Sequence, residues 1–96
     1  MNPYLAVAAI LGAALTGIED GVEPPDPISG NAYALELPQI PSDWGTAIDA
    51  FDNSEVIPRI FAPDLIRNMV MTKRQELRYM AELEPHEQVE IYLDTV

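Results

Sequence analysis

Asn2-Pro3-Tyr4-Leu5-Ala6-Val7-Ala8-Ala9-Ile10-Leu11-Gly12-Ala13-Ala14-Leu15-Thr16-Gly17-Ile18 opens the chain without one charged side chain. Asn2 is a strong helix N-cap, and Pro3 falls at the first helical position, where its missing N–H is no loss. Ala and Leu then dominate, and both favour a helix. The stretch therefore predicts a helix over about residues 3–18, with Gly17 or Gly21 as its stop. Apolar residues lie on every face, so this helix is expected to be enclosed on most sides. Its small residues (Ala6, Ala8, Ala9, Gly12, Ala13, Ala14) allow neighbouring elements to come close.

Two other readings of the same stretch are weaker. A membrane span wants roughly 20 apolar residues, and this run is shorter and broken by Gly12, Thr16 and Gly17. A signal peptide wants a positively charged start, and no positive side chain precedes Arg59. A helix with no charge needs a large surface to bury against. The rest of this chain is short and acidic, which suggests a piece of a larger assembly.

Outward from the helix, residues 19–42 combine Glu19, Asp20, Glu23 and Asp26 with Pro24, Pro25, Pro27, Pro38 and Pro41. They read as a long acidic loop, and such loops are usually functional or draped over something else. A short extended segment within Asn31–Leu37 is expected, limited by Pro38 and Pro41. A helix over about 43–52 follows, capped by Ser42 or Asp43, with Trp44, Ala47, Ile48 and Phe51 on one face. A short turn of helix is expected over 55–61, capped by Ser54. A longer helix is expected over 64–84, where Ile66, Val70, Leu77 and Met80 form a stripe interrupted by Lys73. Pro85 then separates a final helix over 86–93. The fold class is mainly α.

The chain has 96 residues, no cysteine and a net charge of −11. All five basic residues (Arg59, Arg67, Lys73, Arg74, Arg78) lie between 59 and 78. Interspersed acids leave no basic patch, which argues against nucleic acid and against an anionic membrane surface. Without cysteine there are no disulfides, thiolate metal sites or thiol nucleophiles, and a cytoplasmic location is expected.

Few residues suggest chemistry. Tyr33, in Gly30-Asn31-Ala32-Tyr33, is a candidate modification site, although the simpler reading packs its ring under the loop with the hydroxyl in water. Glu82, His86 and Glu90 have i, i+4, i+8 spacing, but Pro85 interrupts the face and a single His is weak metal evidence. Lys73 is expected to lay its methylenes on the apolar stripe and reach Glu76 or a neighbouring subunit. The acids Glu19, Asp20, Glu23 and Asp26 lack the alternation of a calcium loop. Neither a phosphate-binding glycine loop nor a Gly-x-Ser-x-Gly turn occurs. No catalytic, cofactor-binding or metal-binding residue is therefore assigned from the residues themselves.

The ordered set Asn2-Pro3-Tyr4-Leu5, Gly17-Ile18-Glu19, Glu23-Pro24-Pro25 and Gly30-Asn31-Ala32-Tyr33 resembles the C-terminal part of the glutamine synthetase-type ligases. Leu37-Pro38-Gln39-Ile40-Pro41 with the helix through Ala47-Ile48-Asp49-Ala50-Phe51 extends the resemblance, and residues 61–93 look like the terminal helix pair. The resemblance implies an enzyme that joins ammonia or an amine to the γ-carboxylate of glutamate. ATP and Mg or Mn are expected for the full-length enzyme, and none is held by this segment. In the family the metal ligands and phosphate-clamping arginines lie upstream, including an Arg-rich motif just before the Asn-Pro-Tyr helix, so no catalytic residue carries over. The segment is expected to pack helices behind the catalytic sheet, to partner the missing N-terminal part and to form contacts in a ring-shaped homo-oligomer.

In bacterial members a tyrosine in a context similar to that of Tyr33 can be adenylylated. Here Ala34-Leu35-Glu36-Leu37-Pro38 departs from the Asp-Leu-Pro-Pro that typically follows, and Gly30-Asn31-Ala32-Tyr33-Ala34-Leu35 looks more like the amine-using relatives. The leading expectation is thus a ligase segment that is inactive alone. The alternative is a free-standing acidic helical adaptor whose first helix docks in a partner groove. A secreted protein with a cleaved leader is a third reading.

Overall fold

The computed structural model describes residues 2–93. Five helices, α1 (Pro3–Glu19), α2 (Trp44–Asp52), α3 (Ile57–Ile60), α4 (Pro63–Ala81) and α5 (Pro85–Leu93), are joined by loops, and no strand occurs among the described residues. None of these helices is long and apolar enough to cross a membrane.

Local chemistry accounts for the ends of α1. The Asn2 side-chain oxygen accepts the N–H groups of Tyr4 and Leu5 at 3.0 and 3.2 Å, which satisfies two donors of the first turn. At the other end the Gly21 N–H donates to Ile18 O and the Val22 N–H to Gly17 O. That pair of bonds is a Schellman closure. It requires a left-handed residue, and Gly21, with φ +62°, supplies it. Of the two expected stops, Gly21 is used.

Two linked clusters of helices form the packed part. Antiparallel contact between α2 and α4 places Ile48 against Val70, with Trp44 and Phe51 half-buried at either side. Phe51 meets Phe61, their ring centroids 6.5 Å apart. The Ile66, Val70, Leu77, Met80 stripe is realised: Val70 and Met80 are buried, and Ile66 and Leu77 half-buried. Lys73 stands at the edge of the stripe with its ammonium 2.5 Å from Glu76 and 6.0 Å from the Trp44 ring centroid.

Helix α4 stops at Ala81, three residues before the expected 84. The Leu83 N–H bonds to Met80 O instead of continuing the i−4 ladder. The Gln88 amide donates to Met80 O and Leu83 O at 2.9 and 3.0 Å, so α5 satisfies carbonyls that α4 leaves open. Glu87 accepts the Glu84 N–H, half of a capping box for α5. Helix α3 is shorter than the expected 55–61. Ser54 accepts the N–H groups of Val56 and Ile57, and Phe61 is already extended ahead of Pro63.

The loop differs from expectation too. Asn31–Leu37 holds a 3-10 turn over Ala32–Ala34 rather than an extended segment. The Asn31 side chain accepts the Tyr33 N–H at 3.1 Å, and this local bond bends the backbone. Every residue from 18 to 43 is exposed.

Helix α1 packs on α3. Gly12 makes the approach possible: a Cβ there would lie 2.5 Å from Ile60 Cγ2. Leu5, Ala9, Gly12 and Thr16 form the covered face, and the buried Thr16 hydroxyl donates to Gly12 O at 2.8 Å. The remaining faces are open, and the described residues do not supply the expected enclosure on most sides. Tyr4, Val7, Leu11, Leu15 and Ile18 are all exposed, Tyr4 at 85%. They lie within a sector of roughly 80° on a 3.6-residue wheel, a continuous stripe facing away from the Gly12 seam.

The radius of gyration is 16.6 Å, against roughly 12.5 Å for a compact domain of this length. Among the described residues no large side chain is fully enclosed. The chain is organised but open.

Candidate functional site

Residues capable of chemistry are spread out by this architecture. Tyr33 sits at the centre of the 3-10 turn and is 99% exposed. Its ring does not pack under the loop, which corrects that expectation. Asn31 fixes the backbone, and the side chain lies in solvent.

His86 lies in the first turn of α5, whereas Glu82 is the C-cap of α4. The Glu82–Glu84 turn separates them, and Glu82, His86 and Glu90 form no shared ligand set. Among the described residues no group of three or more His, Cys, Asp or Glu side chains is placed to hold a metal ion.

The cations are mostly engaged with carboxylates. Arg59 donates to both oxygens of Asp20 at 2.6 and 3.0 Å and to Glu19 at 3.2 Å. Arg74 bridges Asp49 and Asp52 of α2 at 3.0 and 2.9 Å. Arg67 pairs with Asp64 one turn away. These bonds have electrostatic consequences. The Arg59 hydrogen bond holds the Asp20 carboxyl below its ordinary range, and the same contact raises Arg59. The Thr46 backbone N–H, together with its hydroxyl, lowers Asp43, the N-cap of α2.

Open grooves flank α4, and three of them are largely apolar. One, of about 500 Å³, lies between Pro58, Pro63, Ile66 and Met71. Another, of about 530 Å³, lies between Trp44, Met80, Val89 and Tyr92. A slot of about 190 Å³ separates Trp44 and Phe51 from Met69 and Lys73. None of the three carries a converging acid, base and nucleophile. The described residues do not fit a magnesium nucleotide: among them no oxygen cluster awaits a divalent ion, and four of the five basic side chains already hold carboxylates.

The arginine ties escaped sequence reading. Arg59 meets its partners across 39 and 40 residues and Arg74 across 22 and 25, and no local spacing signals such pairs. The only trace of Arg59 was an acidic doublet at a helix C-terminus, where the dipole disfavours anions and a cation is wanted.

Comparison with known proteins supplies what the geometry leaves open. Residues 1–92 match the family model described as glutamine synthetase, catalytic domain. A glutamine synthetase from Streptomyces coelicolor is 34% identical over 103 aligned positions, covering 97% of this chain and 22% of the relative. The Frankia alni glutamine synthetase is 36% identical, covering 88% of this chain and 20% of that protein. The gamma-glutamylethanolamide synthetase GlnA4 of Streptomyces coelicolor is 35% identical, covering 80% and 17% respectively. No solved structure matches the chain. This chain spans about a fifth of the length of the curated relatives it matches.

Proposed function

The chain belongs to the glutamine synthetase family, as a mainly helical segment of its C-terminal part, and on that premise we propose that it is the scaffold of a ligase rather than its reaction centre. The ligase joins ammonia or an amine to the γ-carboxylate of glutamate at the expense of ATP. In the complete enzyme ATP and a divalent metal, Mg or Mn, are held by the upstream part of the catalytic domain. This segment packs against that part, and its outer surfaces contribute to subunit contacts in a homo-oligomer.

The observation that carries this reading is the outer stripe of α1. Five large apolar side chains at helical spacing stay exposed while the opposite face is sealed on α3. Soluble chains rarely leave such a continuous patch uncovered unless it is an interface. The exposed loop from 18 to 43 supports the same reading, because a loop of that length is usually draped over another surface.

Titration of the isolated chain with magnesium-ATP tests the proposal by calorimetry. No saturable heat is expected. Saturable binding with near one-to-one stoichiometry would place a nucleotide site within these residues and overturn the scaffold reading.

A further inference from the structure

Helix α1 touches the rest of the described chain chiefly through α3, and that junction has two parts. The first is the Gly12 seam, where Ile60 fills the space a Cβ would need. It holds the middle of α1 close to α3. The second lies at the C-terminal end, where Arg59 donates three hydrogen bonds to Asp20 and Glu19. Arg59 and Ile60 are neighbours on α3, so one short helix supplies both seam and clamp.

The clamp has a directional geometry. Two parallel N–H···O bonds to one carboxylate fix the guanidinium plane relative to that group, unlike a single ammonium contact. The Asp20 main chain is held in place: its N–H donates to Thr16 O at 2.9 Å, inside the Schellman closure made by Gly21 and Val22. At 1.5 Å per residue, Asp20 lies about 12 Å on one side of Gly12 and Asn2 about 15 Å on the other. A tilt of α1 about the Gly12 seam would therefore move the Asn2 end by at least as much as the Asp20 end.

We propose that Arg59 is a positioning residue, which by clamping Asp20 and Glu19 sets the direction in which α1 holds its uncovered stripe and its Asn2 end. That this direction matters to a ligase rests on the reading given above; the clamp itself does not. An isolated exposed ion pair is a weak fastening. Here one fork holds two adjacent acids at a helix end that the dipole makes unfavourable for them, so loss of Arg59 leaves both uncompensated.

The chain contains no cysteine, so spin labels can be placed cleanly at Ala13→Cys on α1 and Thr72→Cys on α4, both exposed positions. Pulsed electron resonance on the labelled chain should give one narrow distance distribution. Arg59→Gln should broaden or shift it by several ångströms, Arg59→Lys should do so partly, and Arg59→Glu with Asp20→Arg should restore it. If Arg59→Gln loses helix by circular dichroism, Asp20→Asn and about 1 M salt, which cuts the screening length to about 3 Å, replace it and should give the same broadening. An unchanged distribution in Arg59→Gln, or in Asp20→Asn and salt where the arginine variant misfolds, overturns the proposal. No substrate or nucleotide enters the measurement, so its failure is separate from failure of the ligase reading.

Discussion

Residues 2–43 and residues 44–93 are built on opposite terms. All four buried hydrophobic residues (Ile48, Phe61, Val70, Met80) and all five bases belong to the second region. The first has a helix uncharged from Pro3 to Ile18, a loop without a base, and one buried side chain, Thr16. Yet the first region is the more apolar where it is helical. Helix α4 divides into a covered stripe and a charged face, and so resolves its own burial. Helix α1 seals one face on Ile60 and leaves a second apolar face to solvent. The difference separates a unit that buries its own apolar stripe from a unit that leaves an apolar face open.

That contrast can be broken by mutation, and the largest effect belongs to the second region. Met80→Ala should cost about 2–5 kcal/mol, the usual range for emptying a buried site, and in so small a chain should abolish cooperative thermal unfolding. A melting curve followed at 222 nm checks it. Near-wild-type melting would mean that the second region does not hold the core.

Gly12→Val acts at the junction between the regions. Its Cβ alone would meet Ile60 at 2.5, 2.8 and 3.1 Å, the last to Ile60 Cβ, which cannot rotate away. Overpacking of this kind costs about 1–3 kcal/mol. Exchange of α1 amides should quicken while those of α4 stay protected. Equal acceleration in both helices would show that the regions unfold as one.

Acid should loosen the two ends differently from the core. Asp20 and Asp43 have folded pKa values below their ordinary 3.8. A carboxyl shifted downward stabilises the fold above its unfolded pKa and ceases to do so as pH falls through the folded value. Helicity should therefore be flat from pH 7 to about 5 and fall below about 3.8. Loss beginning near pH 6 would contradict this account.

Substitutions within the open surface should do least. Leu11→Asn and Tyr33→Phe should each leave stability within about 0.5 kcal/mol, because both side chains are exposed. A clear destabilisation by Leu11→Asn in dilute chain would mean that the stripe is already covered.

Much of this contrast was legible in the residues. The Asn2–Pro3 start, the Gly21 stop, the Asp43 and Ser54 caps and the α4 stripe follow from local hydrogen bonding and periodicity, which act over a few positions. What was not legible is which surfaces meet. Helix α1 finds α3 because Gly12 and Ile60 are complementary in shape, and Arg59 finds Asp20 across 39 residues. The early end of α4 escaped notice because Gln88, in the next helix, satisfies its carbonyls. Tyr33 was legible as a position and misread in its environment, since a 3-10 turn set by Asn31 faces the ring outward.

The central claim is that the outer stripe of α1 is made to be covered. Sedimentation equilibrium of the isolated chain over a wide concentration range, beside Leu11→Lys with Ile18→Lys, tests it most directly. The account predicts concentration-dependent association of the natural chain, with the copies covering one another's stripes, and a monomer for the double variant at unchanged helicity. A natural chain that stays monomeric at every concentration would contradict it.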